Sequence, residues 1–207
     1  MGKKGAILGI FCAAAVMLAG CSQKPQEKTA EPVRVWGPVS EASDTALCIN
    51  NQNNQFSAGD MILNLSEETR ILDAASGMPL SIEELEEGET IYAYIGETMT
   101  ASLPPQTTAR LVLAHIQENS KVPDYIEVKS MEKEDGGYRL PSTDGLVFNV
   151  PSDTLINPYL TRNMLYLEDI YEGAHCLVWS DDSNQAVQIL MFPPYGPEEA
   201  SETSVES

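Results

Sequence analysis

Residues 80–94, LSIEELEEGETIYAY, decide the fold because they recur 85 positions later as residues 165–179, LYLEDIYEGAHCLVW. The match extends upstream without a gap, so that residues 62–94 lie over residues 147–179 with seven identical positions. The body of the chain is therefore a tandem duplication. The identical pairs are Asn64/Asn149, Thr69/Thr154, Ile71/Ile156, Leu80/Leu165, Glu83/Glu168, Glu87/Glu172 and Gly88/Gly173.

Both copies show the same order of elements. Alternating apolar and polar residues predict three strands, then a short acidic helical turn, then two more strands. Gly88 and Gly173 end that turn, where a left-handed residue is expected. After a length difference of eight residues, residues 109–116 fall over residues 186–193 as the last strand. Five short strands with one helical turn predict an all-β fold of two tandem OB-like small β-barrels.

Composition divides the chain into five segments. Residues 1–20 are a predicted lipoprotein signal peptide, and residues 21–31 are a lipidated cysteine with a polar, flexible tether. Residues 32–118 and 122–194 are the two predicted barrel units. Residues 195–207 are rich in acids and almost free of aliphatic side chains, which predicts a disordered tail.

The amino terminus has the three parts of a secretory signal. Lys3 and Lys4 precede an apolar run over residues 6–17, which is shorter than the roughly 20 residues that a membrane-spanning helix needs. The motif that follows resembles the lipobox of bacterial lipoproteins. This resemblance implies cleavage before the cysteine and a diacylglyceryl group on its thiol. The motif consists of Leu18, Ala19, Gly20 and Cys21.

An ordinary signal peptide or a short membrane anchor, with an incidental cysteine, is the alternative interpretation of this terminus. Position, spacing and flanking residues all favour the lipobox. The sequence contains no second apolar segment of membrane length. We therefore expect the chain to be held by lipid at the extracytoplasmic face of the cell membrane.

Residues 67–116 resemble a module of uncharacterised surface lipoproteins from clostridia-like Gram-positive bacteria. The resemblance implies a β-rich fold and a surface location, and it carries no particular chemistry. The second copy matches this module poorly. The residues that carry the resemblance are Gly77, Pro79, Ser81, Leu85, Gly88, Met99, Pro104 and Pro105.

The formal net charge is −19, and removal of the two lysines in the signal would leave about −21. Nucleic acid is an unfavourable partner for such a surface, because phosphate contacts need Lys and Arg. Anionic headgroups are unfavourable too, so that the lipid has to provide the anchoring. An acidic surface most often keeps an exported protein soluble.

Residues suited to catalysis are scarce. His115 and His175 lie in apolar strand patterns with no partner at metal-ligand spacing, which favours core or strand-end positions. Cys176 follows His175 directly, so that in a strand the two side chains point to opposite faces. Cys48 and Cys176 are predicted to be small buried side chains, with a disulfide between them as the alternative. No phosphate-binding, hydrolase or zinc-protease motif is present, and no cofactor is predicted.

Two acidic runs are candidate cation sites. One lies within residues 83–87, and the other contains Asp181, Asp182 and Asn184. Neither run has the spacing that places several oxygens around one Ca²⁺, and a solvated charged surface is the favoured interpretation. We therefore expect no metal site.

The connection over residues 97–108 is the best candidate contact loop. Copy two makes the same connection with eight fewer residues, so that the fold does not require the extra length. The favoured interpretation is that the loop folds back over one end of its own barrel, and the alternative is a contact site. Its apolar residues are Met99, Leu103, Pro104 and Pro105.

These features predict a lipid-anchored extracytoplasmic binding or accessory protein without evident catalysis, whose protein or small-ligand partner is unidentified. A secreted enzyme or small-ligand receptor, with its site between the two units, is the alternative. Polar and titratable groups in an inter-unit cleft would favour that alternative, whereas a dry apolar junction would favour the first hypothesis. A cation-binding surface protein is a third hypothesis.

Overall fold

The computed structural model describes residues 33–96, 98–161 and 164–193. Thirteen strands and two short 3-10 helices make up the elements of these residues, which confirms the predicted all-β fold with short helical turns. The signal peptide, the lipobox with Cys21, the tether and the acidic tail lie outside the described residues.

Unit one contains six strands, of which β4 was not predicted. Its 3-10 helix, Ile82–Glu84, lies between β4 and β5. The strands are β1 (Val33–Ser43), β2 (Ala46–Asn51), β3 (Gly59–Asn64), β4 (Arg70–Asp73), β5 (Thr90–Ile95) and β6 (Gln106–Ala114).

Five of these strands close into a barrel. Antiparallel pairs join β1 to β2, β2 to β3, β1 to β5 and β5 to β6, and a parallel pairing of β3 with β6 completes the circle. This order is that of an OB-like Greek-key barrel, and closure leaves none of these five strands as a free edge. Strand β4 pairs with the outer end of β6.

The core of unit one follows from strand alternation. In β3, Met61 and Leu63 point inward and are buried, while their neighbours Ile62 and Asn64 are more exposed. Leu47 and Ile49 of β2 do the same from the neighbouring strand. The inward residues of all the strands form one cluster that fills the barrel.

Unit two repeats this order with seven strands in two sheets. Strands β7 and β8 together take the place of β1, and its 3-10 helix is Leu167–Asp169. The strands are β7 (Asp124–Glu127), β8 (Glu132–Glu134), β9 (Gly137–Pro141), β10 (Val147–Pro151), β11 (Leu155–Pro158), β12 (His175–Ser180) and β13 (Ala186–Met191).

The sheets of unit two are β8–β9–β10 and β7–β12–β13–β11. Single bridges join them, one antiparallel between Val128 and Ser142 and one parallel between Asn149 and Gln185. The parallel bridge is the repeat equivalent of Asn64 opposite Thr108 in unit one. The duplication is therefore present in the strand register as well as in the sequence.

Residues that are identical in the two copies make equivalent hydrogen bonds and turns in the two units. Thr69 donates its hydroxyl hydrogen to the carbonyl oxygen of Ala109 at 2.7 Å, and Thr154 does the same to Ala186 at 3.2 Å. Gly88 has a φ of 88°, and its counterpart Gly173 has a φ of 87°. Both glycines adopt the predicted left-handed conformation, which side chains disfavour.

The two units pack against each other through the outer faces of equivalent strands. Three repeat-equivalent pairs lie in one apolar cluster between them: Tyr92/Leu177, Tyr94/Trp179 and Leu113/Leu190. The Trp179 indole N–H donates to the carbonyl oxygen of Ala74 at 2.8 Å. Close by, the Arg34 guanidinium lies 2.9 Å from Asp124. The junction is therefore apolar at its centre, with an ion pair beside it.

Candidate functional site

The loop between β5 and β6 has an inner and an outer side. Met99 is half-buried and packs on the core of unit one, as expected of a loop that folds back over its barrel. Leu103 is 96% exposed, and Pro104 is exposed beside it. Pro105 is half-buried, and its carbonyl oxygen accepts a hydrogen bond from the Ile62 backbone at 2.9 Å. The loop is therefore partly a plug and partly a projecting tip.

Hydrogen bonds hold the loop in one shape. The Thr100 backbone N–H donates to the Gln106 carbonyl oxygen at 2.9 Å, and the Gln106 N–H donates to Thr100 Oγ1 at 2.9 Å. The Ser102 hydroxyl donates to the Pro104 carbonyl oxygen at 2.8 Å. Thr107 is buried and donates its hydroxyl hydrogen to the carbonyl oxygen of Thr98 at 3.0 Å.

A cavity of about 550 Å³ opens beneath this loop. Its walls come from the β3–β4 connection, the inner side of the loop and β6 of unit one, and from β7 and β12 of unit two. It is therefore a cleft between the two units that includes the extra loop. Its lining residues are Asn64, Ser66, Glu68, Gly96, Thr98, Met99, Thr100, Gln106, Thr107, Thr108, Ala109, Arg110, Tyr125 and His175.

Unit two contributes two stacked rings to the cleft. The imidazole of His175 and the phenol of Tyr125 lie with ring centroids 5.6 Å apart and an interplanar angle of 12°. Burial lowers the pKa of His175, and the positive charges of Arg110 and Arg70 lower it further. His175 is therefore a neutral ring at pH 7.

The sequence did not predict the roles of Arg110, Tyr125 and His175 in this cleft. They lie on three strands in two units, and no local motif links them. The offset of the repeat was the available signal, because it pairs Arg110 with Val187 and Arg70 with Leu155. Where the other copy has an aliphatic residue, the fold does not need an arginine, which indicates that the arginine has another role.

Cys48 and Cys176, the cysteines of the described residues, are free thiols, so that the alternative of a disulfide between them does not hold. Cys176 is buried, as predicted, and burial raises its pKa to about 12. Cys48 is half-buried on β2, so that its predicted burial is only partial. The thiol of Cys176 belongs to the core of unit two, whereas the ring of its neighbour His175 lines the cleft.

His115 lies at the end of β6, as predicted for a strand-end histidine. Its Nε2 is 3.2 Å from the carbonyl oxygen of Glu84, and its Nδ1 is 3.4 Å from Asp73 Oδ2. The hydrogen bond to Glu84 is the largest cause of its raised pKa, and the nearby Glu89 and Asp73 carboxylates act in the same direction. His115 therefore links the 3-10 helix Ile82–Glu84 to the end of β6.

The acidic runs are used in local turns. The Glu84 carboxylate accepts a hydrogen bond from the Ser81 backbone at 2.7 Å, and Asp181 Oδ1 accepts from the Ser183 and Gln185 backbones at 2.8 and 2.9 Å. Within the described ranges, no group of three or more His, Cys, Asp and Glu side chains is placed to hold a metal ion.

The chain matches no protein-family model, and it shows no significant sequence similarity to any curated protein. Across the part of the chain that the structure describes, no helix has the length and apolar character needed to cross a bilayer. The fold and the cleft are therefore the basis of the functional proposal.

Proposed function

We propose that this chain is a non-catalytic, extracytoplasmic binding protein that lipid on Cys21 anchors to the cell membrane. Its ligand site is the cleft between the two barrels, beneath the loop over residues 98–105. The lipobox-like motif ending at Cys21 supports the proposed location at the membrane. The inter-unit cleft supports the binding role. The proposal therefore combines the anchored binding protein with the small-ligand receptor whose site lies between the units.

The single observation that carries this proposal is the way in which the cleft is built. Its volume of about 550 Å³ lies within the range of roughly 300–1,000 Å³ that is typical of small-molecule sites. Both units contribute walls, and the roof is a loop that copy two manages without. Extra length that closes a cavity is better explained by ligand binding than by stability.

The chemistry of the cleft supports binding rather than turnover. The thiol next to His175 in sequence is directed into the core, and its pKa of about 12 keeps it protonated at pH 7. The side-chain groups that line the cavity are hydroxyls, amides, one arginine, the exposed carboxylate of Glu68, the Met99 thioether and the rings of Tyr125 and His175. Such groups orient and hold a ligand.

A second candidate is an accessory role in which the loop tip contacts a protein partner. The observation that favours it is Leu103, whose side chain is almost fully exposed. An aliphatic side chain at the tip of a hydrogen-bonded loop is suited to a small pocket on another protein. The two candidates use opposite sides of the same loop.

A loop chimera tests the cleft. The chimera lacks residues 98–105, so that this connection has the length of residues 181–185 in copy two while the β6 residues that pair with β3 are kept. We expect at least one compound in a thermal-shift screen of small anions, cations and neutral molecules to raise the Tm of the unlipidated Cys21→Ser mature chain. At ten times Kd the rise would be about 3–6 °C. The chimera should show no such rise.

Leu103→Ser is the matched control, since it alters the tip and leaves the cavity walls in place. It should respond to the same compounds as the parent does. If no compound stabilises the parent while the chimera melts much lower, the loop is a structural plug and the cleft proposal fails. Loss of a protein partner from Leu103→Ser alone would support the accessory role instead.

A further inference from the structure

Two arginines on the outer face of unit one have aliphatic counterparts in unit two. The register equates Arg70, opposite Leu111, with Leu155, opposite Gln188. The same repeat equates Arg110 with Val187, and both Leu155 and Val187 are exposed. Because the barrel forms with aliphatic residues at these positions, the fold does not account for either arginine.

Arg70 has a structural use in the junction. Its guanidinium lies 5.1 Å from the ring centre of Tyr159 and 5.2 Å from that of Phe192, both in unit two. Cation–π contacts of this kind stabilise packing between units. These contacts with unit two explain why an arginine stands at position 70. They do not explain the arginine at position 110.

Arg110 is placed to receive an anion. It lines the cleft, and it forms no salt bridge with any carboxylate of residues 33–96, 98–161 and 164–193. Glu68 is the single acidic side chain among the described lining residues, and it is exposed. A chain with 31 acidic and 12 basic residues thus directs an arginine into its inter-unit cavity. A cation in a cleft attracts negative ligands, and the guanidinium fork matches a carboxylate.

The wall beside Arg110 contains the ring of His175 and the thioether of Met99. The His175 ring is half-buried and stacks on Tyr125, which is only 2% exposed, so that His175 offers the accessible ring of the pair. Aromatic rings and thioethers pack well on unsaturated or planar groups. The site therefore combines one positive group with a surface for an apolar body.

We propose that the cleft binds an organic carboxylate with a flat, apolar body. The carboxylate pairs with the Arg110 guanidinium, and the body packs against His175 and Met99. This inference rests on the proposed function and adds to it the chemical class of the ligand. A simple inorganic anion lacks the body, and a neutral analogue lacks the charge.

The test is an amide NMR titration of the ¹⁵N-labelled Cys21→Ser mature chain with sodium benzoate. Benzamide serves as the neutral probe of the same shape, and inorganic phosphate serves as an anion without a ring. We expect benzoate to shift the resonances of cleft residues, with benzamide and phosphate binding at least about tenfold more weakly. Arg110→Gln should weaken benzoate by a similar factor, and Glu68→Gln should tighten it several-fold.

Arg110→Val guards against loss of folding, since Val187 already stands at the equivalent position in unit two. If benzamide binds the cleft as tightly as benzoate, or Arg110→Gln leaves benzoate affinity unchanged, the carboxylate proposal is overturned while the cleft remains a ligand site. Equal binding of phosphate would overturn the requirement for a flat body. If benzoate shifts no cleft resonance, the ligand class is wrong, and the thermal-shift screen of parent and chimera decides the proposed function separately.

Discussion

Replacement of Gly37 by alanine is expected to lower the free energy of unfolding by about 3 kcal/mol. Gly37 lies in β1 where this strand turns from its pairing with β5 to its pairing with β2. A Cβ at this position would lie 1.9 Å from the carbonyl oxygen of Asn50. The obstructing atom belongs to the backbone of a barrel strand, so that relief requires movement of the strand itself.

Gly96→Ala is the control for this substitution. A Cβ at Gly96 meets nothing within 4 Å, so that its stability should stay within roughly 0.5 kcal/mol of the parent. Urea denaturation followed by circular dichroism measures both variants. A Gly37→Ala protein as stable as Gly96→Ala would show that β1 and β2 do not approach each other as described.

The second large effect is expected at the junction of the two units. Trp179→Ala removes an indole that donates a hydrogen bond to Ala74 and lies over Gly77, where a Cβ would come within 2.9 Å of its ring. Loss of a packed tryptophan costs about 3–5 kcal/mol, and here the loss falls on the contact between the units. We expect the two barrels to unfold separately in this variant.

Differential scanning calorimetry measures this coupling. The parent should unfold in one transition, and Trp179→Ala should give two transitions with the first at a lower temperature. Trp36→Ala is the matched control, because Trp36 is half-buried and stacks on Tyr92 within unit one at 5.9 Å. A single transition in Trp179→Ala, with a Tm close to that of Trp36→Ala, would contradict the claim that Trp179 couples the unfolding of the two units.

The repeat made most of the fold predictable from the sequence. The offset is 85 residues over residues 62–94 and 77 residues in the last strand. It places equivalent strands in equivalent positions, and the helical turns and their glycines follow from it. Strand β4 and its counterpart β11 escaped prediction because each has four residues and pairs in parallel with a distant strand. Such a short segment lacks a run of alternating residues long enough to identify it.

The candidate site was predictable only in part. The loop stood out because copy two lacks its extra length, and Met99 and Leu103 were identified from their apolar character. The cleft escaped prediction because it forms only when the two barrels pack together. Arg110 and His175 come from different units, and their meeting depends on the junction around Trp179 and Leu190.

The central claim is that the cleft between the two barrels is a ligand site, and a crystal structure of the Cys21→Ser mature chain soaked in sodium benzoate tests it most directly. We expect electron density for the carboxylate at hydrogen-bond distance from the Arg110 guanidinium, with the ring of benzoate against His175. Benzoate bound outside the cleft would contradict the carboxylate proposal, and a cleft closed by the side chains of the loop would contradict the ligand site itself.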